Sequence, residues 1–257
     1  MRNSLNLGWD INGNNLAGRW LMTLLGLTIL VTGCEDFEPF VSDDQTVTRE
    51  IQLKPYSSIW TYGLFDICLV QDTTHKVILT GRKAVLNNMD HSQDNHRITF
   101  REGSGNHWYS KGGKPTLEFH FRNLRYLRIE EPANLMSQDT IHTDKLQLFI
   151  ANELSEVNLL IDAGYFYLEN WTTSTGIFTI DGKCREMSIR LCGSGHLEAA
   201  GLQAQKATIL QQSIGDAHVR VHDTLEVQTT SSGNVYYYGR PEKIIFDQHA
   251  SGELIGN

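Results

Sequence analysis

Apolar residues recur along the last third of the chain with a period close to nineteen residues. The register is easiest to follow from a column of glycines: Gly176, Gly195, Gly215, Gly233 and Gly252. Two positions after each glycine stands an apolar residue: Phe178, Leu197, Ala217, Val235 and Leu254. Two more apolar columns lie six and eight positions before the last four glycines. A repeat of this length is typical of a solenoid.

Within each repeat, apolar and polar residues alternate with a period of two, which indicates strands and not helices. We therefore predict an all-β fold, a single-stranded parallel β-helix with coils of about 18–22 residues. Successive coils would stack about 4.8 Å apart. The glycines Gly195, Gly215, Gly233 and Gly252 would mark a corner, where the backbone turns tightly or passes close to its neighbour.

Residues 49–121 contain strand-like segments of longer and less even spacing than the regular coils predicted for residues 122–257. We expect this irregular N-terminal portion to cover one end of the solenoid, because an uncovered coil exposes unpaired strand edges. The glycine-rich stretch at 102–115 is predicted to be a long exposed connection, and it carries Trp108 and Tyr109.

The first 33 residues are predicted to be a targeting segment. The apolar run from Trp20 to Gly33 follows a polar lead and is too short for a spanning helix. It ends in Val-Thr-Gly-Cys34, which resembles the lipobox of bacterial lipoproteins. In that interpretation residues 1–33 are removed and Cys34 becomes a lipidated N-terminus that anchors the protein in the membrane. An ordinary signal peptide and an uncleaved anchor remain alternatives.

Residues 34–48 are acidic and poor in apolar pattern, so they are predicted to form a tether ahead of the domain at 49–257. Acidic residues directly after the cysteine resemble the signal that exports some Gram-negative lipoproteins to the outer face. They fit a solvated linker equally well. The expected location is therefore extracytoplasmic, with the protein anchored by lipid to the outer membrane. Exposure on the cell surface is a further possibility that this location allows.

Charge and cysteine content exclude two classes of protein. The formal net charge of −8 argues against a nucleic-acid binder, which needs a basic face. After Cys34, the remaining cysteines are Cys68, Cys184 and Cys192. An odd number outside the cytoplasm cannot all pair, so no disulfide framework is predicted. Whether Cys184 and Cys192 pair with each other stays open.

Two features together resemble the head GIN domain family of auto-transporter adhesins. One is the pair of strands FDICLVQ and HKVILTG, and the other is the series of Ser-Gly-x-apolar coils. The likeness covers roughly Arg49 to Asn257 and is most specific at Gly233–Pro241, GNVYYYGRP, which fits the family's Gly-x-Val-x-Tyr-x-Gly-x-Pro. The resemblance implies a right-handed β-helix-like fold on secreted or surface lipoproteins. It brings no catalytic residues.

Some parallel β-helices cleave polysaccharides, and such enzymes need clustered acids on one outward face. Asp216 and Glu253 are predicted to lie two coils apart, at roughly 10 Å, which is loose for a carboxylate pair. His196, Glu198, Asp216 and His218 form the best polar cluster, but a solvated sheet face explains them better than a metal site. We predict no catalytic residue, no metal and no cofactor.

Aromatic residues are the better candidates for binding. Tyr236, Tyr237 and Tyr238 are consecutive on a predicted strand, so at least one of them points outward. Tyr236 and Tyr238, with Trp108 and Tyr109, could stack on sugar rings or form an interface. The alternative is that Tyr237 fills the interior while its neighbours shield a sheet edge.

We therefore predict a non-catalytic adhesin or binding module that presents a β-helix surface to a glycan or a protein. Two alternatives remain at this stage. One is a β-helix carbohydrate-active enzyme, a polysaccharide lyase or hydrolase. The other is a structural or signalling component of the envelope that forms oligomers through its end coils.

Overall fold

The computed structural model describes residues 45–103, 113–171 and 174–257, and these ranges consist mainly of strands. The N-terminal portion contains β1 (Thr46–Gln52), β2 (Ser58–Tyr62), β3 (Phe65–Gln71), β4 (Lys76–Arg82), the short helix α1 (Lys83–Asn87), β5 (Met89–Asp94), β6 (Arg97–Glu102) and β7 (Thr116–Phe121). The coils that follow contain β8 (Tyr126–Ile129), β9 (Ala133–Ser137), β10 (Ile141–Ile150), β11 (Glu156–Asn170), β12 (Ile177–Gly193), β13 (His196–Ser213), β14 (Ala217–Thr229), β15 (Val235–Tyr238), β16 (Lys243–Gln248) and β17 (Leu254–Gly256).

The coils stack in parallel, and the predicted β-solenoid is confirmed. The predicted apolar column forms an inner wall, each member lying opposite the next: Phe178, Leu197, Ala217, Val235 and Leu254. The structure extends this wall upstream through Val157 and Leu135. All of them are buried except Leu254, which lies in the last coil and is partly buried. The repeat in the sequence is therefore the repeat of a continuous apolar core.

A second inner wall is built from the other two apolar columns. One column runs through Ile189, Ile209, Val227 and Phe246, and the other runs through Met187, Ala207, Leu225 and Ile244. The first three members of each column are buried, whereas Ile244 and Phe246 are 42% and 38% exposed. The interior of the solenoid thus opens toward solvent at β16.

The glycine column marks a corner at which successive backbones nearly touch. A Cβ atom on Gly215 would stand 2.4 Å from the carbonyl oxygen of Gly195, and one on Gly252 would stand 2.3 Å from that of Gly233. Neither Gly215 nor Gly252 has a positive φ. Glycine is therefore needed here because the backbones approach closely and not because the turn requires a positive φ. Any side chain would meet the backbone of the coil beneath.

Buried polar side chains complete this corner. The Ser213 hydroxyl donates to the carbonyl oxygen of Gly195 (2.8 Å) and accepts from the amide of Gly215 (2.9 Å). The Gln211 side-chain amide donates to the Gly215 carbonyl oxygen at 2.7 Å. These bonds satisfy backbone groups that the turn removes from the strand ladder, which is what burial of such groups requires.

The N-terminal portion closes the opposite end. Strands β2 and β3 continue the parallel stack next to β8 and β9, but β4 runs antiparallel to both β1 and β7, and β5 runs antiparallel to β6. Helix α1 buries Val85 and Leu86. The change from parallel to antiparallel pairing ends the solenoid here, as expected for a cap.

Candidate functional site

The tyrosines predicted for binding lie on β15 and contact residues of the protein itself. The Tyr236 ring stacks on the His218 ring with centroids 4.7 Å apart, and the Tyr238 hydroxyl lies 3.2 Å from His218 Nδ1. Tyr237 packs against the core, as the alternative interpretation required. Tyr236 and Tyr238 are both half-buried, so much of each ring is already in contact with the protein.

Three further predicted residues lie outside the described residues: Cys34, Trp108 and Tyr109. Their assigned roles stay predictions. Within the described ranges, no helix has the length and apolar character needed to cross a membrane.

The polar column that follows the corner glycines is a hydrogen-bond ladder. The amide of Asp216 donates to His196 Nδ1 (3.3 Å), the amide of Asn234 donates to Asp216 Oδ1 (2.8 Å), and that of Glu253 donates to Asn234 Oδ1 (2.9 Å). Each side chain thereby binds the backbone of the next coil. The ladder accounts for His196 and Asp216 of the polar cluster, whereas His218 contacts Tyr236 and lies 4.0 Å from Glu198. No three acidic, histidine or cysteine side chains of the described residues converge as a metal site.

The cysteines that the structure describes are free thiols, so Cys184 and Cys192 do not pair. Burial raises the pKa of the Cys184 thiol to about 12. Burial also raises the pKa values of Cys68 and Cys192. A thiol with a raised pKa stays protonated at neutral pH and is a poor nucleophile. Cys184 and Cys192 are therefore buried, unreactive thiols, whereas Cys68 is partly buried on the outward face of β3 and also has a raised pKa.

A row of outward-facing rings crosses the first coils, and the sequence analysis did not find it. Its members are Tyr62, Trp60, Tyr126, Phe149 and Tyr167, on β2, β8, β10 and β11. Successive ring centroids lie 6.5, 6.0, 4.9 and 5.3 Å apart along that order. All five side chains are half-buried, with inward-facing core residues alternating between them.

Three arginines contact the same row. The Arg97 and Arg128 guanidinium groups lie 4.9 and 5.3 Å from the centroid of the Trp60 ring, and that of Arg101 lies 4.0 Å from the Tyr62 ring. Such distances are those of cation–π contacts. We refer to the five rings together with Arg97, Arg101 and Arg128 as the aromatic–arginine stripe. Arg97 and Arg101 are exposed, and Arg97 also lies 3.6 Å from the Asp94 carboxylate.

Acidic side chains form hydrogen bonds with Arg128 and Tyr167 of the stripe. Arg128 Nε donates to Glu130 Oε1 at 2.5 Å, and this hydrogen bond raises the pKa of the arginine against the opposing effect of burial. The Tyr167 hydroxyl donates to Glu169 Oε2, also at 2.5 Å. Burial, and then this bond to Glu169, raises the pKa of Tyr167, which keeps the phenol protonated.

The stripe leads to a small pocket with a volume of about 240 Å³. Glu169, Asn170, Trp171, Arg190 and Cys192 line it. Trp171 is 47% exposed, and its ring lies 5.5 Å from the Arg128 guanidinium group. An exposed tryptophan beside arginine is a typical anchor in binding surfaces. The pocket therefore continues the combination of aromatic rings and arginine beyond the end of the stripe.

A larger polar groove, of about 970 Å³, lies along another corner of the coils and is lined by Arg122, His142, Asp162, Lys183, Arg185 and His222 among others. Two of its basic side chains share one carboxylate, because Asp162 lies 3.3 Å from His142 and 3.2 Å from Lys183. No tyrosine, tryptophan or phenylalanine lines the groove, so recognition there would depend on charge and hydrogen bonds without a stacking surface of that kind.

Column alignment missed the stripe because its rings meet diagonally. Tyr126 is directly opposite Gln147, not Phe149, and Tyr167 is also directly opposite Gln147. Aromatic side chains reach diagonal neighbours across a sheet, whereas a search for directly stacked columns finds only direct neighbours. A search for outward aromatics offset by two positions would have found the row.

The model of one protein family, described as "Putative auto-transporter adhesin, head GIN domain", matches residues 55–241. The chain belongs to this family. The resemblance inferred from the strands and from Gly233–Pro241 is thus confirmed. Members of the head GIN domain family are described as adhesins, which is consistent with a binding module at the cell surface.

Solved structures show the same fold at low sequence identity. A "putative adhesin" from Bacteroides fragilis is 13% identical with a TM-score of 0.72, and the match covers 83% of this chain and 97% of that one. A "putative lipid binding protein" from Parabacteroides distasonis is 16% identical with a TM-score of 0.63, and the match covers 83% and 97%. A "putative adhesin" from Parabacteroides merdae is 16% identical with a TM-score of 0.57, and the match covers 83% and 96%. No curated protein matches the chain.

Proposed function

We propose that this protein is a lipid-anchored binding module of the cell envelope, and that the aromatic–arginine stripe binds an acidic glycan without catalysis. The observation that carries the proposal is the unbroken row of five rings with three arginines across adjacent coils. Arg128 is paired with Glu130 and Arg97 lies 3.6 Å from Asp94, so Arg101 is the arginine of the row on which the proposal relies most.

The chemistry of sugars fits such a surface. Aromatic side chains present apolar faces on which the C–H face of a pyranose packs, and they dominate the energetics of interfaces. Arginine presents a planar set of donors that matches a carboxylate or sulfate in two hydrogen bonds. The coils repeat about every 4.8 Å, which is close to the length of one sugar unit, so a chain of sugars can follow the stripe.

Anchoring and location complete the proposal. Lipidation at Cys34 would hold the domain at the outer membrane, and the acidic tether at 34–48 would let the stripe face ligands outside the cell. Trp108 and Tyr109 follow β6, the strand that carries Arg97 and Arg101, so we retain them as part of the proposed binding surface. Non-catalytic binding is supported by the polar column of Asp216, whose side chains hold backbone amides.

The test is a glycan array probed with the full chain in mild detergent, comparing acidic glycans with their neutral counterparts. We expect binding to acidic glycans that Arg101→Ala reduces at least tenfold, which is the loss expected for one charge-assisted contact. Tyr236→Ala on another coil face is the matched control and should leave binding unchanged. Equal binding of neutral glycans, or no glycan binding at all, would contradict the proposal.

A further inference from the structure

The C-terminal coil ends in an unpaired apolar strand edge. Strand β16 pairs with β14 on one side, and no described strand pairs with its other side. All six of its residues are exposed. Ile244 and Phe246 continue the inner columns, yet they are exposed, whereas Leu225 and Val227 opposite them on β14 are 0% and 3% exposed. This edge is an opening into the core and not an ordinary surface strand.

One outward position of β16 also departs from the pattern of earlier coils. Ile245 lies opposite Glu226, and the equivalent residues of the two preceding coils are Thr208 and Ser188. Ile245 is 41% exposed. Together with Ile244 and Phe246, Ile245 gives three consecutive exposed apolar side chains on one edge strand, and contiguous exposed apolar surface of this kind marks an interaction site.

The sequence of β16 is complementary to itself when two copies run antiparallel. If Ile245 of one copy lies opposite Ile245 of the other, then Lys243 lies opposite Asp247 and Ile244 lies opposite Phe246. Directly opposed residues point to the same face, so the charges meet outside and the apolar pairs meet inside. Lys243 makes no ion pair with any described residue. The Asp247 side chain is 59% exposed, although it lies 2.8 Å from His249 Nε2 and accepts a hydrogen bond from Gln228 Nε2 at 3.3 Å. Lys243 is therefore available, and Asp247 can receive it on its exposed side.

The backbone of β16 suits the same register. The amide of His249 donates to the carbonyl oxygen of Thr229 on β14 (2.8 Å). Backbone groups alternate along a strand, so those of Ile244 and Phe246 face the free edge. In the self-paired register these two residues exchange their hydrogen bonds with Phe246 and Ile244 of the second copy. Ile245 then forms a non-hydrogen-bonded pair, in which side chains approach most closely.

The other end of the molecule does not offer a competing partner surface. Among the described residues, this end is closed by antiparallel strands and α1, and its edge strands carry charges: Arg49 and Glu50 on β1, and Asp90 and Asp94 on β5. Charges on an edge discourage strand addition. Head-to-tail stacking into a filament is therefore disfavoured relative to a closed pair of identical surfaces.

We propose that two copies of this chain associate through their β16 strands in an antiparallel pair centred on Ile245, which joins their apolar interiors into one. The interface goes beyond glycan binding and does not depend on it. It would place two aromatic–arginine stripes on one assembly and so raise the avidity of the pair for a repeating ligand.

Charge exchange tests both the partner and the register. Sedimentation of the full chain in mild detergent should show a monomer–dimer equilibrium. Lys243→Asp alone and Asp247→Lys alone should each weaken it about tenfold, because each creates two like-charge pairs per dimer. An equimolar mixture of the two variants should associate as the unmodified chain does, since every pair is then opposite in charge. A monomer at all concentrations, or dimers that ignore both reversals, would overturn the proposal.

Cysteine cross-linking supplies an independent readout. Ile245→Cys should give a disulfide-linked dimer on mild oxidation, because the two thiols face each other across the axis. Glu226→Cys, one coil away on the same face, is the matched control and should remain monomeric. Equal cross-linking of both variants would mean that the copies meet in another way and would also overturn the proposal.

Discussion

Gly233 lies directly against the carbonyl oxygen of Gly215, one coil below: a Cβ atom on Gly233 would stand 2.1 Å from that oxygen. Gly233→Ala should therefore push two coils apart and lower the free energy of unfolding by about 2–4 kcal/mol, in the range of strained core substitutions. Gly113→Ala is the matched control, because a Cβ there has no neighbour within 4 Å. Denaturant unfolding of both variants checks this, and equal stabilities would contradict the stacked-corner account.

The shared inner wall makes a second prediction about stability. Phe178 is fully buried between Val157 and Leu197, so Phe178→Ala should lower the free energy of unfolding by about 3–5 kcal/mol. Its neighbour Ile177 is 49% exposed on the opposite face, and Ile177→Ala should cost under about 1 kcal/mol. Thermal or denaturant unfolding separates the two. If both variants lost similar amounts of unfolding free energy, Phe178 would not face the core while Ile177 faces solvent.

A hydrogen-bonded carboxylate in the N-terminal portion predicts loss of stability in acid. Burial tends to raise the pKa of the Asp72 carboxyl, but hydrogen bonds from His120 and Thr74 outweigh it and lower that pKa to about 2. His120 lies 2.7 Å from Asp72 and 2.7 Å from Glu118. A lowered pKa stabilises the fold above the ordinary carboxyl value near 4, and this contribution disappears as pH falls from about 4 to 2.

Asp72→Asn should therefore flatten the dependence of unfolding free energy on pH between about 4 and 2. The measurement is denaturant unfolding at a series of pH values. Asp139→Asn, which removes another carboxylate of the chain, is the control and should retain the full acid slope. An unchanged slope in Asp72→Asn would exclude the His120 contact as its source.

Lipidation predicts a change in location and mass. If Cys34 is the mature N-terminus, Cys34→Ala should move the protein from the membrane fraction to the soluble extract, since several acyl chains provide the anchor. Mass spectrometry of the unmodified protein should show a chain that begins at Cys34 and carries added lipid. Membrane retention of Cys34→Ala would indicate an uncleaved anchor instead.

The inner walls were predictable because a solenoid places equivalent residues directly on top of one another. The spacing from Leu197 to Ala217 to Val235 therefore appears in the sequence as a period. The need for glycine at the corner was predictable as well, although only coordinates distinguish the close approach of Gly215 to Gly195 from a tight turn.

The candidate site was not predictable in the same way. Tyr126 and Phe149 meet across a diagonal, so their contact leaves no direct column in the sequence. Tyr236 stood out because it is one of three consecutive tyrosines, yet its ring is already stacked on His218. Outward positions are set by pairwise contacts between neighbouring coils and not by the repeat, and this is why single-sequence reasoning finds the core before it finds the site.

The most direct test of the central claim is a calorimetric titration of the full chain with the acidic glycan that binds best on the array. Trp60→Ala removes the ring that Arg97 and Arg128 both contact, and it should weaken binding at least tenfold while Tyr236→Ala leaves the affinity unchanged. If Trp60→Ala binds as tightly as the unmodified chain, or if Tyr236→Ala loses binding in its place, the aromatic–arginine stripe is not the binding surface.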